Sequence, residues 1–155
     1  MDISNLTGME VAVIGIAGKF PASENIKIFW NNLIDGKELI KFFSKDELLN
    51  GGVTYDELNS NNYVMAKGII DDAEKFDNKY FGYKPKEAQM MDPQIRMMHM
   101  CVNDALENAG YSSYKYDGKI GLFIGANPNY NWEYAVRNSS FVNQDEIPFA
   151  SILAN

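Results

Sequence analysis

Residues Met90–Cys101 read MMDPQIRMMHMC, and the fold turns on whether this stretch is chemistry or helix. Five of the chain's eight methionines crowd around one Asp-Pro pair, together with the only histidine and the only cysteine. Proline disfavours helical backbone in the residue before it but suits the first helical position itself. Asp92 therefore caps a helix that starts at Pro93 and runs to about Ala109, with Gly110 closing it. On that helix Ile95, Met98, Val102, Ala105, Leu106 and Ala109 make one apolar stripe, widened by Met97 and Cys101. Arg96, Asn103 and Glu107 lie off the stripe. His99 and Cys101 are two residues apart and leave the helix on different sides, so they cannot share a metal. Cys101 is central in the helix and has no second histidine to activate it, so it is a packed thiol. A methionine-rich helical face is core.

The flanking sequence alternates strand-like and helix-like stretches. MEVAVIGIAG (Met9–Gly18), YVMAKGII (Tyr63–Ile70) and KIGLFIGA (Lys119–Ala126) are apolar runs with the character of buried strands. ENIKIFWNNLIDG places Ile26, Phe29, Trp30 and Leu33 at helical spacing, with Ser23 as its cap and Gly36 at its end. Residues 46–62 form a polar loop or short irregular helix. Residues 71–82 form a helical turn anchored by Phe76, Tyr80 and Phe81, and Pro85 opens a short helix through KPKEAQMMD. This alternation predicts an α/β fold with a mostly parallel sheet, without an internal repeat or a linker.

The totals narrow the function. A chain of 155 residues, 46% hydrophobic and 23% charged, is long enough for a real core and too apolar for disorder. A net charge of -7 leaves no basic stripe for a phosphate backbone, which excludes general nucleic-acid binding. No apolar run has the length of a membrane span, and the opening MDISNLTGME has neither the basic nor the apolar region of a secretory signal. One cysteine excludes an internal disulfide framework and suits a reducing cytoplasm.

Four stretches carry a family resemblance. VAVIGIAGKFP, NIKIFWNNLIDGKELIKFFS, FDNKYFGYKPKEAQMMDPQIRMMHMCVNDALENAGY and IGLFIGA together resemble the opening of β-ketoacyl synthase domains of bacterial modular polyketide synthases. The match runs in order from about Val11 to Ala126, and SILAN (residues 151–155) resembles the approach to that family's active-site region. Details also resemble the bacterial subgroup whose acyltransferases act as separate proteins. The resemblance implies a thiolase-like fold, of which residues 1–155 supply most of the first of two α/β halves. It implies chain extension by decarboxylative Claisen condensation on an acyl carrier protein's phosphopantetheine arm, and partnership with the remainder of the ketosynthase and a homodimer mate.

The family's nucleophilic cysteine follows a Thr-Ala-Cys-Ser type motif and its catalytic histidines come later still. None of those motifs occurs in this sequence. The resemblance therefore implies that the 155 residues stop before the catalytic cysteine, that Cys101 is a helix cysteine, and that His99 has no catalytic counterpart. No catalytic, cofactor-binding or metal residue is assigned. Two rival readings stand beside this one. Gly15 and Gly18 after an apolar run suggest a dinucleotide-binding turn, although Ala17 and Phe20 stand where further glycine is wanted. A synthase scaffold without its chemistry would instead be a non-catalytic interaction module.

Overall fold

A computed structural model describes residues 7–139. The chain divides into two compact units: Gly18–Asp72, and the residues up to Ala17 joined with those from Ala73 onward. This division is sharper than the unbroken pattern of the sequence, in which no linker separates them.

The unit from Gly18 to Asp72 opens with a tight turn in which Phe20 and Ser23 exchange two backbone hydrogen bonds of 2.9 Å. Helix α1 (Ile26–Ile34) follows, capped by Asn25, whose side chain accepts from Ile28 N–H at 3.0 Å. The expected cap, Ser23, has a different task. It is buried, and its Oγ accepts from the Asn32 side-chain amide at 2.9 Å, so it satisfies a buried polar group from inside the unit. Gly36 closes the helix at φ +64°, a backbone region that glycine enters without a Cβ penalty. Phe29 stacks on Phe20 at 4.0 Å between ring centroids, while Trp30 and Leu33, set at the same helical spacing, remain exposed.

Strand β1 (Lys41–Phe42) pairs antiparallel with β2 (Ala66–Lys67). Between them lie α2 (Lys45–Asn50) and α3 (Tyr55–Leu58), each opened by a reciprocal capping box. Ser44 with Glu47, and Thr54 with Glu57, satisfy the free amides of these short helices locally.

The other unit is organised around α5 (Pro93–Asn108), which takes the course its sequence predicts. Asp92 accepts from Gln94 N–H at 2.7 Å, and Gly110 turns the chain away at φ +77°. Helix α4 (Pro85–Met90) precedes it, with Pro85 in its first turn, and α6 (Tyr130–Arg137) follows. In the sequence that last helix is visible only as a segment holding Trp132 and Tyr134. Residues 71–82, read as a helical turn, hold two stretches of turn at 71–74 and 78–82, with Phe81 N–H donating to the Asp77 carbonyl at 3.2 Å.

The expected parallel sheet does not form among the described residues. The single ladder is the antiparallel β1–β2 pair, and of the Tyr63–Ile70 run only Ala66–Lys67 is strand. Met9–Gly18 and Lys119–Ala126 carry no strand. A strand exists only with a ladder partner, so an apolar run alone does not make one. Their apolar side chains lie open: Val11 is 91% and Phe123 is 98% exposed.

Candidate functional site

The methionine-rich stretch becomes a junction. Helix α4 ends at Met90, Met91 and Asp92 bridge in extended backbone, and α5 begins at Pro93. Asp92 serves two neighbours, since its Oδ1 caps Gln94 and also accepts from the Asn129 side chain at 3.3 Å. Gln94 donates to the Asn127 carbonyl at 3.0 Å, and the Trp132 indole donates to the Met90 carbonyl at 3.1 Å. The start of α6 is thereby tied to the α4–α5 corner by polar contacts.

On the adjoining face, His99 sits among aromatic rings. Phe76 and Phe81 stack at 5.0 Å, and the rings of Phe76, Phe81 and Tyr83 all stand edge-on to the imidazole at 5.5–6.1 Å. His99 Nδ1 lies 2.8 Å from the Ile95 carbonyl, which can only accept, so Nδ1 carries the proton. Nε2 is hydrogen-bonded to the Tyr83 hydroxyl at 3.0 Å. Both ring nitrogens are spent, which makes His99 an organiser of the aromatic cluster. Tyr80 extends the cluster by donating to Asn103 Oδ1 at 2.8 Å.

Arg96 departs from the sequence pattern. It lies off the apolar stripe, yet it is only 8% exposed. Its Nη1 donates to the Glu74 carbonyl at 3.1 Å, its guanidinium lies 5.3 Å from the centre of the Trp132 ring, and its Nε has no acceptor. Burial pushes the guanidinium down from its ordinary pKa, opposed by the nearby carboxylates of Asp92 and Glu74. The residues that cover it come from 22 positions upstream and from α6, beyond the reach of helical periodicity. A shallow trough of about 590 Å³ runs beside it, walled mainly by apolar side chains including Met90, Trp132, Ala135 and Val136.

Cys101 is half-buried in the middle of α5. No group of three or more His, Cys, Asp or Glu side chains suited to a metal occurs among the described residues. Nor is any helix among them long and apolar enough to cross a membrane. Gly15 has a packing explanation: a Cβ there would strike the Ala105 carbonyl oxygen and stand 2.8 Å from Ala109 Cβ, so the chain crosses α5 too closely for any side chain. Ile16 N–H donates to Asn108 Oδ1 at 3.0 Å at the same crossing. This close helix contact leaves the nucleotide-turn reading without its main support.

The chain belongs to the β-ketoacyl synthase family, whose N-terminal domain matches residues 9–154. The partial thiolase-like α/β assignment agrees with solved ketosynthase domains. Among curated relatives, a component of the phenolphthiocerol/phthiocerol polyketide synthase of Mycobacterium tuberculosis is 39% identical over 119 residues, covering 77% of this chain and 8% of the relative. Polyketide synthase PksM of Bacillus subtilis is 36% identical over 151 residues, 90% of this chain and 4% of that protein. The ketosynthase from module 1 of the bacillaene synthase of Bacillus amyloliquefaciens is 44% identical with a TM-score of 0.54, matching 64% of this chain and 17% of that one. Ketosynthase twelve of the Bacillus amyloliquefaciens bacillaene synthase is 38% identical with a TM-score of 0.56, over 62% and 17% of the two chains. The chain thus spans less than a tenth of the length of these curated relatives.

Proposed function

We propose that these residues form the N-terminal part of a ketosynthase that lengthens an acyl chain on a carrier protein, and that they supply its scaffold rather than its nucleophile. In this reading a cysteine thiolate elsewhere in the synthase attacks the acyl thioester of the phosphopantetheine arm and releases the arm's thiol. A malonyl-type thioester then loses carbon dioxide. The carbanion left behind attacks the acyl-enzyme carbonyl, forming the new carbon–carbon bond and expelling the cysteine thiolate. The partners are an acyl carrier protein, the remainder of the ketosynthase and a homodimer mate, in a cytoplasmic setting.

The observation that carries the scaffold role is the state of the two reactive side chains. Cys101 is half-buried in mid-helix, and His99 spends both ring nitrogens on Ile95 and Tyr83. A thiolate nucleophile needs an accessible, electropositive position such as a helix N-terminus, and Cys101 lies in the middle of α5. The test uses intact mass after incubation with an acyl-carrier thioester. The 155-residue chain should show no adduct, and a full synthase module bearing Cys101→Ala should load acyl groups as the unsubstituted module does. A stoichiometric adduct on Cys101 would overturn the proposal.

A further inference from the structure

Among the described residues, the hydrogen bonds that join the α6 segment to the α4–α5 corner come from one end. Asn127 accepts from Gln94, Asn129 donates to Asp92, and Trp132 donates to the Met90 carbonyl. The Arg96 guanidinium over the Trp132 ring adds a fourth tie at the same end. Beyond Trp132 the pattern changes. The hydrogen bonds of Glu133, Asn138 and Ser139 stay within the helix and its caps. In this far half Ala135, exposed, and Val136, half-buried, line the trough, as Trp132 does at the near end. Tyr134, on another face, is 73% exposed.

We infer that α6 is a hinged strap, pivoting on Asn129 and Trp132, whose far half closes over the trough beside Arg96. The physical basis is an asymmetry. The pivot end is held by directional polar bonds, which resist displacement, while the far end of α6 has apolar side chains on the trough, where closing removes apolar surface from water. Few buried contacts and an open apolar wall are the marks of an element drawn from the low-stability end of a fold. Hinges of this kind are absorbed by a few residues at an element's end, which is where the Asn127–Asn129 segment lies. Because the helix moves as a body, its internal hydrogen bonds persist and amide exchange would not register the swing. Distances do.

The experiment places spin labels on the 155-residue chain in a Cys101→Ala background, diluted with unlabelled protein to suppress contacts between molecules. One pair joins Asp104 on α5 to Arg137 at the far end of α6, and the other joins Asp104 to Asn131 beside the pivot. All three positions are exposed, so the labels leave the packing intact. The expected result is a distance distribution at least twofold wider for the far pair than for the near pair. Ala135→Leu, which adds bulk at the trough wall, should narrow the far distribution without changing the near one. Equal widths for the two pairs, whether narrow or broad, overturn the hinge. So does a far distribution that Ala135→Leu leaves unchanged.

Discussion

Replacing Gly15 with alanine separates the helix-crossing explanation of this glycine from any loop function. The new Cβ would meet the Ala105 carbonyl oxygen and would lie 2.8 Å from Ala109 Cβ and 3.0 Å from Ala109 N. These are atoms of a helix backbone and its stem, which cannot rotate aside as the tip of a flexible side chain can. Forcing an extra methyl into such a contact costs about 1–3 kcal/mol, and the rigid neighbours put this site at the upper end. Retreat of the segment from α5 also stretches the Ile16–Asn108 hydrogen bond, now 3.0 Å. A loss of about 3 kcal/mol corresponds to a fall of about 6–12 °C in Tm for a domain of this size. The control is Gly125→Ala, where the added Cβ has nothing within 4 Å. That change should stay within about 0.5 kcal/mol. Urea unfolding followed by tryptophan fluorescence at a fixed protein concentration measures both. If Gly15→Ala were as mild as Gly125→Ala, the crossing would not be as close as described, and Gly15 would owe its place to something other than packing.

Further outcomes are expected from the same structure. Tyr83→Phe removes the hydroxyl bonded to His99 Nε2 and should cost about 1 kcal/mol, read from the shift of the urea midpoint at constant m-value. Acid should unwind α2 and α3 early. Their caps Ser44 and Thr54 hold the Glu47 and Glu57 carboxyls below the ordinary 4.5, so this stabilisation is complete above pH 4.5 and is lost as pH falls through the folded values. Circular dichroism of Glu47→Gln/Glu57→Gln protein should show less of that acid-dependent loss than the parent. Limited proteolysis should spare Phe76–Tyr83, where stacked rings pack about His99, and cut first within residues 50–62. Early cleavage inside the aromatic cluster would contradict the packing.

The helices are more legible in the sequence than the sheet, and the reason is physical. Asp92, Pro93 and Gly110 encode α5 through local geometry, so cap, course and stop can be read directly from neighbouring residues. The aromatic anchors Phe76 and Phe81 are visible from their size alone. By contrast, the apolar runs at Met9–Gly18 and Lys119–Ala126 have strand-like composition, but a ladder depends on partners that composition does not specify. The burial of Arg96 is hidden for a similar reason: Glu74 and Trp132 reach it from distant positions. Ser23 reads as a cap because its chemistry suits a helix start as well as it suits the buried contact to Asn32 that it makes.

The repeated capping boxes have a consequence for how the chain emerges from a ribosome. Ser44–Glu47 and Thr54–Glu57 close within three residues, and the helices they open bury no side chain. These turns can be sampled as soon as their own few residues have left the exit tunnel. The Ile16–Asn108 bond spans 92 positions, so the crossing at Gly15 must wait until α5 has been made. Until then the backbone at Gly15 and Ile16 lacks the helix that it crosses. The crossing is therefore a late contact, and no part of it forms during the interval in which residues 17–108 are translated.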